Sequence, residues 1–139
     1  MSFLLMLALV QTLPDGQGKA VTERMCKGCH GLDNVVRARR AEDKWAEVVD
    51  DMVSRGAKGT DAEVDQVIEY LSAHFGPKIN VNKAAASDLK ETLGVSASDA
   101  DAIVQYRTEK GPFKSIQDVM KVPGVDAKKI ETLQDRLDF

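Results

Sequence analysis

Cys26-Lys27-Gly28-Cys29-His30 is the stretch on which the reading of this chain turns. Two thiols separated by two residues, followed directly by an imidazole, form the Cys-x-x-Cys-His attachment signature of a c-type haem. Thiols at this spacing reach the two vinyl groups of one porphyrin and form thioethers. The imidazole of His30 then lies under the iron as its proximal ligand. Cys26 and Cys29 are the only cysteines in the chain, so nothing else competes for them. A disulfide oxidoreductase would place such a motif in a βαβ pattern, and none surrounds it. A zinc site would need a second ligand pair, and the one other histidine, His74, is far away in sequence. The expectation is one haem c, held covalently at Cys26 and Cys29 and ligated by His30.

The flanking sequence reads as helices. Gly16 to Cys29 places Ala20, Val21 and Met25 on one face and delivers the motif at its end, where Gly31 stops the helix. Leu32 to Ala41 has no period and is expected to be a loop. It carries Arg37, Arg39 and Arg40, which fit either a solvated surface or partners for haem propionates. From Glu42 to Arg55, residues Trp45, Val48, Val49, Met52 and Val53 recur at helical spacing. Gly56-Ala57-Lys58-Gly59 ends that helix, and Thr60-Asp61-Ala62-Glu63 is a capping box opening the next. Val64, Val67, Ile68, Leu71 and Phe75 form its stripe, and Gly76-Pro77 stops it.

For the iron's distal ligand the choice is Met52, a soft thioether downstream of the motif. A core role for Met52 competes with this, because it lies on an apolar stripe. His74 is the rival and would give a bis-histidine iron. Met25 precedes Cys26 on the proximal side and is expected not to reach the distal face.

The chain has 139 residues and a net charge of −3, which fits one domain or two small ones and excludes a strongly basic nucleic-acid binder. Haem attachment of this type takes place outside the cytoplasm, so the motif implies an exported, periplasmic or similar location. Phe3 to Val10 is an apolar run too short to span a bilayer, and residues 1–15 are expected to be a signal segment. A short apolar helix packed on the domain is the other reading of that run, and no membrane span is expected.

From Ile79 the character changes, and the boundary is placed there, with a haem domain at 16–77 and a second unit at 78–139. Ala84 to Leu93 reads as a helix, Gly94-Val95-Ser96 as a tight turn, and Ser98 to Lys110 as a second helix. Gly111-Pro112-Phe113 breaks the pattern and Ser115 caps a short helix with Ile116, Val119 and Met120. Val122-Pro123-Gly124-Val125-Asp126 is another tight turn, and Lys128 to Leu137 is the last helix. The unit is a helix–turn–helix repeated twice, and the fold class is all-α.

Two resemblances follow from these residues. Gly16 to Gly76 resembles a small class I mono-haem cytochrome c, carried by Cys26-Lys27-Gly28-Cys29-His30, by Trp45 with Met52, and by Ile68-Glu69-Tyr70-Leu71. Such domains carry single electrons and catalyse no bond chemistry. Ile79 to Leu137 resembles the tandem helix-hairpin-helix domain of competence-type DNA receptors. The carrying residues are Ile79-Asn80-Val81-Asn82, Tyr106-Arg107 with Gly111-Pro112-Phe113, and Val122-Pro123-Gly124-Val125. In that family the hairpin binds a DNA phosphate through backbone N–H groups at a helix N-terminus.

Here Ser96 and Asp126 stand where the family's hairpins have a second glycine, and Asp126 is expected to repel a phosphate. Residues 79–139 hold nine basic and ten acidic side chains, which is not an electropositive surface. The expectation is thus an exported, non-enzymatic electron carrier with a His30/Met52 haem. Its helix-hairpin-helix half would dock a redox partner, such as a dehydrogenase or an envelope complex. An exported DNA-binding protein with an attached haem is the alternative. A peroxidase would need an open sixth position and a distal base, and no distal His-Arg pair is present.

Overall fold

Capping groups and glycines set where the helices of this chain begin and end. The computed structural model describes residues 12–139, so the apolar run at Phe3 to Val10 and its reading as a signal lie outside the described residues. In the first half, α1 (Lys19–Lys27), α2 (Asp33–Arg37), α3 (Glu42–Ser54) and α4 (Asp61–Phe75) follow one another. Gly18 enters α1 with φ 98°, and a side chain there would stand 2.8 Å from Tyr70 Cβ. The start of α1 therefore lies directly against α4. Leu13, assigned by sequence to the N-terminal segment, is buried in this core. The Tyr70 hydroxyl donates to the Pro14 carbonyl at 2.5 Å and fixes that segment on α4.

The capping box of α4 forms as read. Thr60 Oγ1 accepts from the Glu63 amide at 3.3 Å, and Glu63 Oε2 accepts from the Thr60 amide at 2.9 Å. The expected loop at 32–41 is corrected, because it contains α2 and the first half has four helices, not three. Leu32 and Val35, one helical turn apart, are both buried, and a single turn is too short to show a period. On α3, Trp45 and Val49 are buried and Val53 is exposed. The Trp45 indole donates to the Phe75 carbonyl at 3.0 Å. The Arg40 amide donates to the same carbonyl, also at 3.0 Å.

The second half holds β1 (Ile79–Asn80), α5 (Ala86–Leu93), α6 (Ala97–Lys110), α7 (Ile116–Met120), α8 (Ala127–Thr132), a 3-10 turn at Gln134–Arg136 and β2 (Leu137–Asp138). Two helix pairs, α5–α6 and α7–α8, enclose a separate core around Leu89, Ile103, Val119 and Ile130. The expected last helix is corrected: it ends at Thr132, and the chain then runs into β2, which pairs in parallel with β1 at Ile79–Leu137 and Asn80–Asp138. The fold is thus mostly helical with one short parallel pairing. Ser115 precedes α7, but its side chain caps nothing, and Asp118 Oδ2 accepts from the Lys114 amide instead at 3.0 Å.

The motif residues that carry the second resemblance are structural clamps. Asn82 Nδ2 donates to the Phe113 carbonyl at 2.8 Å while its Oδ1 accepts from the Phe113 amide at 2.7 Å. Arg107 donates to the Val81 carbonyl at 2.7 Å. The Tyr106 and Phe113 rings stack with centroids 5.7 Å apart. Together these tie the entry of the unit to the break between its two hairpins.

The halves are joined by polar contacts. His74 Nδ1 lies 2.8 Å from Asp135 Oδ2. Arg136 is buried, donates through Nε to the Pro77 carbonyl at 3.2 Å, and donates through a terminal nitrogen to the Thr92 carbonyl.

Two carboxylates give the fold an acid limit. The Thr60 amide and Arg24 hold Glu63 below the usual carboxylate range, and the Lys114 amide does the same for Asp118. A carboxylate with a lowered folded-state pKa adds stability above its unfolded pKa, and that stability is lost as pH falls through the folded one. The urea midpoint should therefore be flat near neutrality and drop below about pH 4. Replacing Glu63 and Asp118 together with Gln and Asn should flatten that acid slope.

Candidate functional site

The end of α1, the turn after it, α2, α3 and α4 enclose a cavity of about 650 Å³. That volume is in the range of cofactor sites, about 300–1,000 Å³. Cys26, Cys29, His30 and Met52 all line it, with Trp45 as part of the wall. The four residues singled out by sequence thus share one space. Cys26 is half-buried, and burial pushes its thiol pKa up, while Cys29 and His30 are exposed at the mouth.

His30 Nδ1 lies 2.7 Å from the Gly31 carbonyl. A carbonyl can only accept, so Nδ1 carries a proton and Nε2 is the nitrogen left to ligate. This is the second-sphere arrangement that orients an imidazole as a ligand. Met25, expected on the proximal side, also lines the cavity, and a Cβ at Gly59 would stand 2.8 Å from its sulfur. His74 does not line it, because its ring is engaged with Asp135 at the joint between the halves. The bis-histidine arrangement is thereby ruled out by placement.

The donor set can be tested against the group it would hold. Two thiols, an imidazole and two thioethers border a largely apolar space that Arg40 and Arg55 also line. These suit a metalloporphyrin, which brings four of the iron's ligands with it. A bare metal ion is not suited, because among the described residues no cluster of three or more His, Cys, Asp and Glu is formed.

The second site is the pair of hairpin turns. Gly94, with φ 65°, closes α5, and the turn leads into α6 through Ser96. Ser96 Oγ accepts from the Asp99 amide at 3.0 Å. The first amides of a helix have no partner within it, so those of Ala97 and Ser98 are available to an acceptor. In the second hairpin Gly124 has φ 85°, and Asp126 Oδ1 accepts from the amides of Lys128 and Lys129, each at 3.1 Å. Asp126 is the N-cap of α8, so its carboxylate occupies the two amides at this turn and keeps its negative charge there. Lys128 and Lys129 are exposed at the same turn.

No helix of the described residues is long and apolar enough to cross a membrane. Residues 75–138 match the family described as the helix-hairpin-helix motif. The chain is 37% identical over 62 residues to ComE operon protein 1 of Bacillus subtilis, covering 45% of this chain and 30% of that protein. It is 38% identical over 72 residues to an uncharacterized protein of Haemophilus influenzae, covering 51% of this chain and 64% of that protein. It is also 31% identical over 61 residues to endonuclease/exonuclease/phosphatase family domain-containing protein 1 of Homo sapiens, covering 44% of this chain and 11% of that protein.

The chain thus spans less than two thirds of these relatives' own length. No solved structure matches it. These likenesses overturn the expectation of an electron carrier that uses its second half to dock a redox partner. The half that was to dock is similar to ComE operon protein 1. The second half of this chain is thus similar to helix-hairpin-helix domains, in sequence over residues 75–138 and in its two helix pairs.

Proposed function

We propose that this is an exported DNA-binding protein of the competence-receptor kind, with one haem c attached in its first half. The observation that carries the DNA reading is the pair of helix-hairpin-helix turns. Each brings a glycine of positive φ and a helix N-terminus to one place, an arrangement suited to close approach of a phosphate. The first hairpin offers the amides of Ala97 and Ser98. The second offers Lys128 and Lys129 as point charges. Contacts of this kind follow the phosphate backbone and carry no sequence information. The cavity around Cys26, Cys29, His30 and Met52 supports the haem half of the reading. When bound, the group would supply a redox-active iron, which His30 and Met52 would hold.

The test is a titration of labelled duplex DNA by fluorescence anisotropy. The protein is produced with haem-maturation machinery, and covalent loading is verified by mass. Binding in the micromolar range is expected at low salt, weakening on a log–log plot with a slope of about −0.9 for each phosphate neutralised. Replacing Lys128 and Lys129 with Gln should reduce that slope by about one per residue. Asp126→Asn keeps a capping side chain, removes a negative charge, and should tighten binding. No binding at low salt would overturn the DNA reading.

A further inference from the structure

We propose that filling the cavity of the first half tightens DNA binding at the first hairpin, through a chain of hydrogen bonds that runs from Trp45 to Thr92. This inference rests on both parts of the reading above and adds a means by which one half regulates the other.

The chain of contacts starts at the cavity wall. Trp45 lines the cavity, and its indole donates to the Phe75 carbonyl at 3.0 Å. The amide of Arg40, a second lining residue, donates to the same carbonyl at 3.0 Å. Phe75 is buried and is the last residue of α4. Two donors from the cavity side therefore hold the backbone at the point where it leaves the first half. Gly76 and Pro77 follow. Arg136 of the second half donates through Nε to the Pro77 carbonyl at 3.2 Å, and through a terminal nitrogen to the Thr92 carbonyl. Thr92 lies in the last turn of α5, two residues before Gly94 of the first hairpin turn. One buried guanidinium thus ties the exit of the cavity wall to the entry of the phosphate-binding turn.

This joint has little slack. A Cβ at Gly76 would stand 2.5 Å from the Ser72 carbonyl oxygen and 2.6 Å from Arg136 Nε. Gly76 has φ −71°, which any residue adopts, so space and not conformation calls for glycine there. The two halves have separate apolar cores, so the joint can release without melting either. A filled cavity keeps Trp45 seated and the Phe75 carbonyl fixed, which favours the engaged joint. Thr92 and Gly94 are then held in place before a phosphate arrives. Ordering a turn in advance lowers the entropy lost when a ligand binds it.

The full chain is prepared with and without haem-maturation machinery, and covalent loading is verified by mass. Both forms are titrated against labelled duplex DNA. The loaded parent should bind at least about fivefold more tightly than the unloaded one. Gly76→Ala wedges the joint without removing a donor, and should bring that ratio close to one. Arg136→Lys keeps the charge and loses the two-point grip, and should do the same. The coupling is also read in the loaded parent alone, which needs no variant to fold. Saturating DNA should slow hydrogen exchange of the Trp45 indole and the Arg40 amide. A ratio of one or below, or unchanged exchange, in a parent that loads and binds DNA overturns the inference and leaves both readings standing. A parental ratio kept in folded Gly76→Ala and Arg136→Lys overturns it as well. No covalent haem in the parent overturns the haem reading, and no DNA binding at low salt overturns the DNA reading; either takes the inference with it.

Discussion

Trp45→Ala should lower the unfolding free energy by about 3–5 kcal/mol, read as a shift of the urea midpoint. Trp45 is only 2% exposed, so its truncation opens a void on α3 that the packed wall of α4 cannot refill. The indole also donates to the Phe75 carbonyl, which accepts the Arg40 amide as well. Losing the indole leaves that carbonyl with one donor and loosens the segment that leads into α3. Trp45→Phe keeps most of the volume and removes the bond, and should cost about 1–2 kcal/mol. The difference between the two variants separates packing from hydrogen bonding. A cost below about 1 kcal/mol for Trp45→Ala would mean the wall collapses freely and the cavity is not a rigid container.

The second large effect is expected at Arg136. Burial lowers its guanidinium pKa, and its donors go to the carbonyls of Pro77 and Thr92. These carbonyls belong to the linker between the halves and to the last turn of α5. Gly76 leaves room for the side chain, since a Cβ there would stand 2.6 Å from Arg136 Nε. Arg136→Ala strands two carbonyls and removes the contact that fixes the linker, so a loss of about 2–4 kcal/mol is expected. Limited proteolysis should then cut near Gly76-Pro77, where the parent resists. Arg136→Ala with parental stability and no new cut would mean that the two halves hold together through other contacts, such as His74 with Asp135.

The sequence was legible where a signal repeats or where its spacing is itself chemical. α3 and α4 announce themselves through apolar stripes and a capping box, and both form. Cys26, Cys29 and His30 needed no fold to be singled out, and Met52 joins them at the cavity because it shares the stripe of Trp45. Other elements were hidden for physical reasons. α2 is five residues long, and Leu32 and Val35 alone cannot show a period. β1 and β2 are two residues each, and their partners lie far apart in sequence. Leu133 and Leu137 keep helical spacing across a helix that has already ended at Thr132, so the pattern outruns the element. His74 could not be understood without Asp135, 61 residues away. Asp126 was noticed for its charge when its place before Ala127-Lys128-Lys129 also reads as a cap.

The pairing of Ile79 with Leu137 also governs when the second half can close. A polypeptide emerging from the ribosome in chain order presents β1 some sixty residues before β2 exists. Until residue 138 has appeared, β1 has no partner, and Arg136 cannot yet grip the linker or Thr92. The earlier hairpins must wait in an incomplete state, with the cost of closing that long loop still unmet. Completion of the fold is deferred to the moment β2 arrives.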